Sequence, residues 1–233
     1  MAELHKLVAT LKTALEAGAP GLAMDHHAQE AAAVPLADDA YRAELVARFA
    51  RELQAVGGRF LGIFTPAEAT NAIVALARET NPRLVAIGDG VTADAGTIAS
   101  ALDAAGIAVM RTAPTTDPEA RAAIRDRMSR AEIGIAEADY AIASTGTLAV
   151  LSMPSRPGSL TLVPPTSVIF VRIDRFVPDL AAALDAFGPD TLAANRMTLI
   201  TGPSRTADIE KRIVLGVHGP KSLDVLVIWP HDD

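Results

Sequence analysis

Cysteine is absent from this 233-residue chain. A disulfide, a thiolate-held iron–sulfur cluster and a cysteine nucleophile are therefore all closed to it. Aromatic residues are scarce at 4%, while 50% of residues are hydrophobic, so the core must be assembled mainly from Ala, Val, Leu and Ile. Charged residues, at 21%, are too few for a chain that stays unfolded. Basic charge is in deficit: the formal net charge is −7, and the acidic excess lies before Tyr140. No basic stripe is available to release counterions from nucleic acid, and an acidic protein is not drawn to anionic membranes. Long hydrophobic runs are missing too. The longest uncharged stretch, Tyr140–Ser155, is interrupted by Ser, Thr and Gly, whereas a membrane helix needs about 20 predominantly apolar residues. Glu3, Lys6, Lys12 and Glu16 break up the opening segment, so no secretion signal is expected there. The expectation is a soluble cytoplasmic protein with no nucleic-acid partner and no membrane insertion.

What is present is a regular alternation. Leu4, Leu7, Val8, Leu11 and Leu15 predict an N-terminal amphipathic helix, and residues 19–38 read as a connecting segment. Residues 1–38 thus form an appendage to one α/β domain over 39–233. That domain opens with a helix from Asp39 to about Val56, followed by a strand at Arg59–Phe64. Thr65, Pro66 and Glu68 spell a capping box at the start of the next helix. Leu84–Ile87 and Ile107–Met110 are apolar strands, with a helix around Ala95–Ala105 between them and another from Thr116 to Arg130 after them. Near-continuous apolar strands alternating with helices predict a mainly parallel sheet covered on both faces. After Ile133 the runs shorten: Tyr140–Ala143, Leu148–Leu151, Leu160–Val163 and Val168–Ile173 sit between turns. Some antiparallel strands within the sheet are expected there.

Four segments have the composition to carry chemistry. In VAIGDGVTADAG, Asp89 and Gly90 follow an apolar strand and precede a helix. Such sheets bind ligands at that position, although an ordinary turn reads the same way. Thr145, Gly146 and Thr147, after Ser144, either grip an anion with hydroxyls and amides or close a hairpin. Gly202-Pro-Ser204-Arg205-Thr206-Ala-Asp208-Ile-Glu210 is the densest polar cluster. Ser204 and Thr206 supply donors and Arg205 supplies a fork suited to carboxylate or phosphate; the alternative is that Ser204 caps a turn and Asp208 pairs with Arg205. In GVHGP, His218 beside Gly219 is an acid–base candidate or simply a turn histidine. His26 and His27 lack a third spaced ligand, so no metal site is expected.

Taken in order, EADYAIASTGTLAVLS, SLTLVPP, FVPDL, ITGPSRTADIE and GVHGP resemble the motif series of the lactate-utilisation protein C family. The resemblance covers roughly Ala40 to Trp229. It implies the three-layer α/β/α sandwich shared by CoA transferases, ribose-5-phosphate isomerases and glucosamine-6-phosphate deaminases. It also implies a part in oxidising L-lactate to pyruvate beside Cys-rich iron–sulfur proteins. Without cysteine, this chain would hold no cofactor of that kind, and electron transfer would fall to those partners. The expected role is then an accessory subunit binding a small anion. The ligand residues would be Asp89, Gly90, Thr145, Gly146, Thr147, Gly202, Ser204, Arg205, Thr206 and Gly219, and the catalytic candidates Asp208, Glu210 and His218. The alternative is a stand-alone enzyme or binder for a phosphorylated small molecule or CoA ester. Family members usually carry Glu where this sequence has Ser144, which removes the obvious acid–base residue from the Thr-Gly turn and leaves anion binding by its neighbours.

Overall fold

Strands that must be buried on both faces need apolar side chains at consecutive positions, and the central segments of this sequence supply them. A computed structural model describes residues 39–113, 115, 117–153, 156–187, 196–209, 212–215 and 218–229, with 206–209 and 212–215 described as backbone alone. The appendage expected over residues 1–38 lies outside the described residues.

The chain alternates as α1 (Asp39–Ala55), β1 (Arg59–Phe64), α2 (Pro66–Thr80), β2 (Leu84–Ile87), α3 (Ala95–Ala104) and β3 (Ala108–Arg111). It continues through α4 (Pro118–Arg130) to β4 (Ile133–Ala138). The capping box predicted for α2 is formed: the Thr65 side chain accepts from the Glu68 amide, and the Glu68 carboxylate accepts from the Thr65 amide at 2.9 Å. Asp94 caps α3, its carboxylate accepting from the Gly96 and Thr97 amides.

With β7 (Thr166–Arg172) and β12 (Ser222–Ile228), four of these strands complete a six-stranded sheet of order β1-β12-β7-β4-β2-β3. Every neighbouring pair in it is parallel. Strand periodicity sorts the side chains into layers. Val85, Ile87, Ile133, Ile135, Val168 and Phe170 pack under α2 and α3. The intervening Ala86 and Ala136 meet Met128 of α4, while Ile169, Val171, Val225 and Val227 meet α1. The result is an α/β/α arrangement.

The antiparallel strands expected inside this sheet form a separate one. β5 (Tyr140–Ile142) and β6 (Thr147–Ser152) pair antiparallel, flanked by β8 (Phe176–Val177) and β9 (Arg196–Ile200). One residue, Asp139, redirects the chain between sheets; its amide donates to the Ala149 carbonyl at 2.9 Å. The α5 helix (Leu180–Phe187) covers β5 and β8. A third pairing, β10 (Arg205–Ile209) with β11 (Arg212–Leu215), is antiparallel. The run Leu160–Val163 is not a strand. Gly158–Thr161 turn as a short 3-10 helix whose Leu160 carbonyl lies against Gly134, where a Cβ would come within 2.0 Å of it.

Candidate functional site

In the main sheet the chain leaves β2 outward to β3, then returns on the other side of β2 to β4. Ligands of open parallel sheets bind at such a reversal, beyond the carboxyl ends of the strands. A cavity of about 390 Å³ lies at this place, lined by residues following β2 (Gly90, Thr92), at the ends of β4 and β7 (Glu137, Arg172), and beyond them (Asp139, Tyr140, Arg156, Arg175).

Its polar groups are tightly arranged. Glu137 is buried, and its carboxylate accepts from the Thr92 hydroxyl at 2.6 Å and from the Thr92 amide. Burial pushes the Glu137 carboxyl above its ordinary pKa, against the opposing pull of the Thr92 hydrogen bonds and the positive charges of Arg156 and Arg172. Asp139 accepts from the Leu151 amide at 2.7 Å and from Arg156 at 3.0 Å. Arg172 is held by both oxygens of Asp174, at 2.9 and 2.6 Å. Arg175 donates to the Tyr140 hydroxyl at 3.2 Å and stands 5.5 Å from that ring's centroid. Among the described residues Arg175 has no carboxylate partner. Of the sequence candidates, Gly90 lines this cavity with φ +80°, while the Asp89 carboxylate is engaged by Arg111 at 2.7 Å.

Gly202–Ser204 and His218–Pro220, the described parts of two further candidate segments, meet elsewhere. At the opposite, amino-terminal ends of β7 and β12 lies a cavity of about 270 Å³ whose lining includes Ser167, Thr198, Thr201, Gly202, Ser204, His218 and Gly219. The two loops are tied together by the Ser204 amide, which donates to the Pro220 carbonyl at 2.9 Å. Gly202 has φ +81°, and a Cβ there would meet the Val56 carbonyl at 2.6 Å, so this position demands glycine. The Ser167 and Thr198 hydroxyls are buried and have no hydrogen-bond partner among the described residues. An unpaired buried hydroxyl is costly, and these two line an open cavity.

The Thr-Gly turn connects to this second cavity through hydroxyls. Thr145 and Thr147 share a 2.7 Å hydrogen bond, and Thr147 shares another of 2.7 Å with Thr201. Gly146, at φ +62°, packs on the last turns of α1, where a Cβ would lie 2.2 Å from the Leu53 nitrogen. Arg205 does not project into either cavity lining; its guanidinium donates to the Val56 carbonyl at 2.5 Å, just past the end of α1. Thr206 and Asp208 fall on β10 as backbone, and Glu210 lies outside the described residues. His218 is exposed at the cavity rim. The sequence reading grouped Gly90 with Ser204 and Gly219 in one set of ligand residues, whereas they line cavities at opposite ends of the sheet. It also passed over Glu137, Thr92 and the three arginines. A carboxylate inside the otherwise apolar IGIAEA strand was the available signal.

Among the described residues no group of three or more His, Asp or Glu could hold a metal ion, and no helix is long and apolar enough to cross a membrane.

A parallel six-stranded sheet covered by helices on both faces, with a cavity beyond its carboxyl ends, defines a protein of the α/β class. Residues 46–228 match the LUD domain family, and the chain belongs to it. It is 35% identical over 125 residues to lactate utilization protein C of Exiguobacterium sp., covering 51% of each chain. It is 33% identical over 116 residues to the uncharacterized protein YkgG of Escherichia coli, covering 48% of this chain and 50% of that one. The chain spans about half the length of the curated relatives it matches. The fold is shared with a DUF162 family protein from Deinococcus radiodurans, solved at 1.70 Å, with a TM-score of 0.60. That likeness is at 22% identity and covers 81% of this chain and 98% of the other.

Proposed function

We propose that this chain is an accessory component of a cytoplasmic lactate-utilisation system that binds a small hydroxy acid or its oxidised product. The observation that carries the reading is the convergence of Ser204, Thr201 and His218 on one cavity with the buried, unpartnered hydroxyls of Ser167 and Thr198. Hydroxyls supply donors for a carboxylate and acceptors for a substrate hydroxyl. The apolar side chains of Leu162 and Leu223 in the same lining suit a methyl group. His218 at the rim adds a further hydrogen-bonding side chain. The names of the relatives supply the metabolic setting. Because the chain has no cysteine, thiolate-held clusters belong on partner proteins, and the role here is binding and positioning rather than electron transfer.

Titration calorimetry with L-lactate and pyruvate tests this reading. Saturable binding of one of them, weakened by Ser204→Ala and by Ser167→Ala, is the expected result. At about 100 times its dissociation constant the ligand adds about 2.7 kcal/mol to stability, visible as a thermal shift. Absence of binding by both compounds, or binding indifferent to both substitutions, refutes it. Co-purification with Cys-rich iron–sulfur proteins tests the partner half.

A further inference from the structure

The charged cavity at the carboxyl ends of β2, β4 and β7 has no part in that reading, yet it has the build of a ligand site. Its innermost group is Glu137, on a strand whose six residues are all buried. A carboxylate is not placed there for packing, and the nearby cations do not pair with it directly: Arg156 bonds Asp139 and Arg172 bonds Asp174. Thr92 occupies one lone pair on each Glu137 oxygen. A carboxylate accepts about four hydrogen bonds, so acceptor capacity remains. At the mouth, Arg175 is the cation without a carboxylate partner among the described residues, held in place by the Tyr140 hydroxyl and ring.

We infer that this cavity is a second ligand site, for a hydroxylated organic compound carrying a single anionic head, either carboxylate or phosphate monoester. The head sits on the Arg175 guanidinium beside Arg172, and the carbon chain points inward, its hydroxyls donating to Glu137. Charge selects a single head. Asp139 pairs with Arg156 and Asp174 with Arg172, which leaves Arg175 as the cation at the mouth for one anionic head. With the Glu137 carboxylate further in, the lining has no surplus of positive charge for a polyphosphate. Size agrees: about 390 Å³ falls within the range of about 300–1,000 Å³ usual for small-molecule sites. Acceptors inside and a donor fork at the mouth also disfavour an apolar tail, because it would leave the remaining acceptor capacity of Glu137, beyond its two Thr92 hydrogen bonds, unused.

The test is calorimetry on the full chain with three probes of one carbon skeleton: D-gluconate, D-sorbitol 6-phosphate and uncharged D-sorbitol. One or both anions are expected to bind and sorbitol is not; the anion preferred identifies the head group. Arg175→Ala is expected to weaken binding about tenfold or more, as loss of a charge-assisted contact does, and Arg175→Lys to restore part of it. Arg175 is exposed, so these variants are expected to fold, with unchanged melting as the check. Ser204→Ala is expected to leave anion binding at this site intact, so failure here is separable from failure of the lactate reading. Binding by neither anion, equal binding of sorbitol, or affinity unchanged in Arg175→Ala overturns the inference.

Discussion

Replacing Arg59 with alanine should destabilise the fold far more than an exposed arginine normally would. Arg59 opens β1 and lies opposite Asp224 of β12 in the parallel register. Its Nε and Nη2 donate to the two Asp224 carboxylate oxygens at 2.5 and 2.6 Å. The partners are unequal: the Asp224 side chain is 0% exposed and that of Arg59 is 56% exposed. Stranding one member of a fully buried pair costs about 3–5 kcal/mol. Here the vacated space opens to solvent on the arginine side, so water can rehydrate part of the carboxylate. A loss of about 2–3 kcal/mol follows. For a chain of this size that is a fall of about 4–12 °C in melting temperature. Urea denaturation and calorimetry at neutral pH read it directly. The Arg59→Ala/Asp224→Asn double variant should be more stable than Arg59→Ala alone, because it strands no charge. The reasoning fails if Arg59→Ala costs less than about 0.5 kcal/mol, the range of ordinary surface substitutions, or if the double variant gains nothing.

Glu137 gives stability a pH dependence of definite sign. Its carboxyl titrates higher in the folded chain than in the unfolded one, chiefly because burial disfavours the charge. Between the two values the folded state holds the extra proton, so its contribution is fully present below the ordinary carboxylate range and is lost as pH rises through the folded value. Glu137→Gln should flatten that part of a stability–pH profile measured by urea denaturation, and an unchanged profile refutes the assignment. Gly146→Ala should cost more than about 3 kcal/mol, since its Cβ meets the α1 backbone at 2.2 Å in a left-handed conformation. Gly90→Ala has the same sign of φ but nothing within 4 Å, so it should cost only about 1 kcal/mol; urea midpoints of the pair give the comparison.

Much of the architecture was legible because its signals are local. The Thr65–Glu68 capping box, the Arg59–Phe64 strand and the Leu84–Ile87 strand depend on neighbours in sequence, and each forms where the pattern placed it. The second sheet was not legible. β5 and β6 are short apolar runs like the strands of the main sheet, and the turn at Asp139, set by hydrogen bonds to Ala149 and Leu151, sends them elsewhere. Arg205 shows the same limit: its composition suggested an anion fork, and the carbonyl it meets belongs to Val56, far away in sequence. The charged cavity draws Thr92, Glu137 and the Arg172–Arg175 stretch from three separate segments, so no single motif contains it.

Strand β7 carries Ser167 near its start and Arg172 at its end, one in each cavity. Five residues of extended chain at about 3.3 Å each put the two groups roughly 17 Å apart. Two small ligands at that separation cannot collide, so occupancy of one end leaves the other free to fill. A mixture of the two would then behave as non-competing guests of one host, with a combined stoichiometry of two. Any influence between them would have to travel along a rod buried on both faces, and it would act equally in both directions.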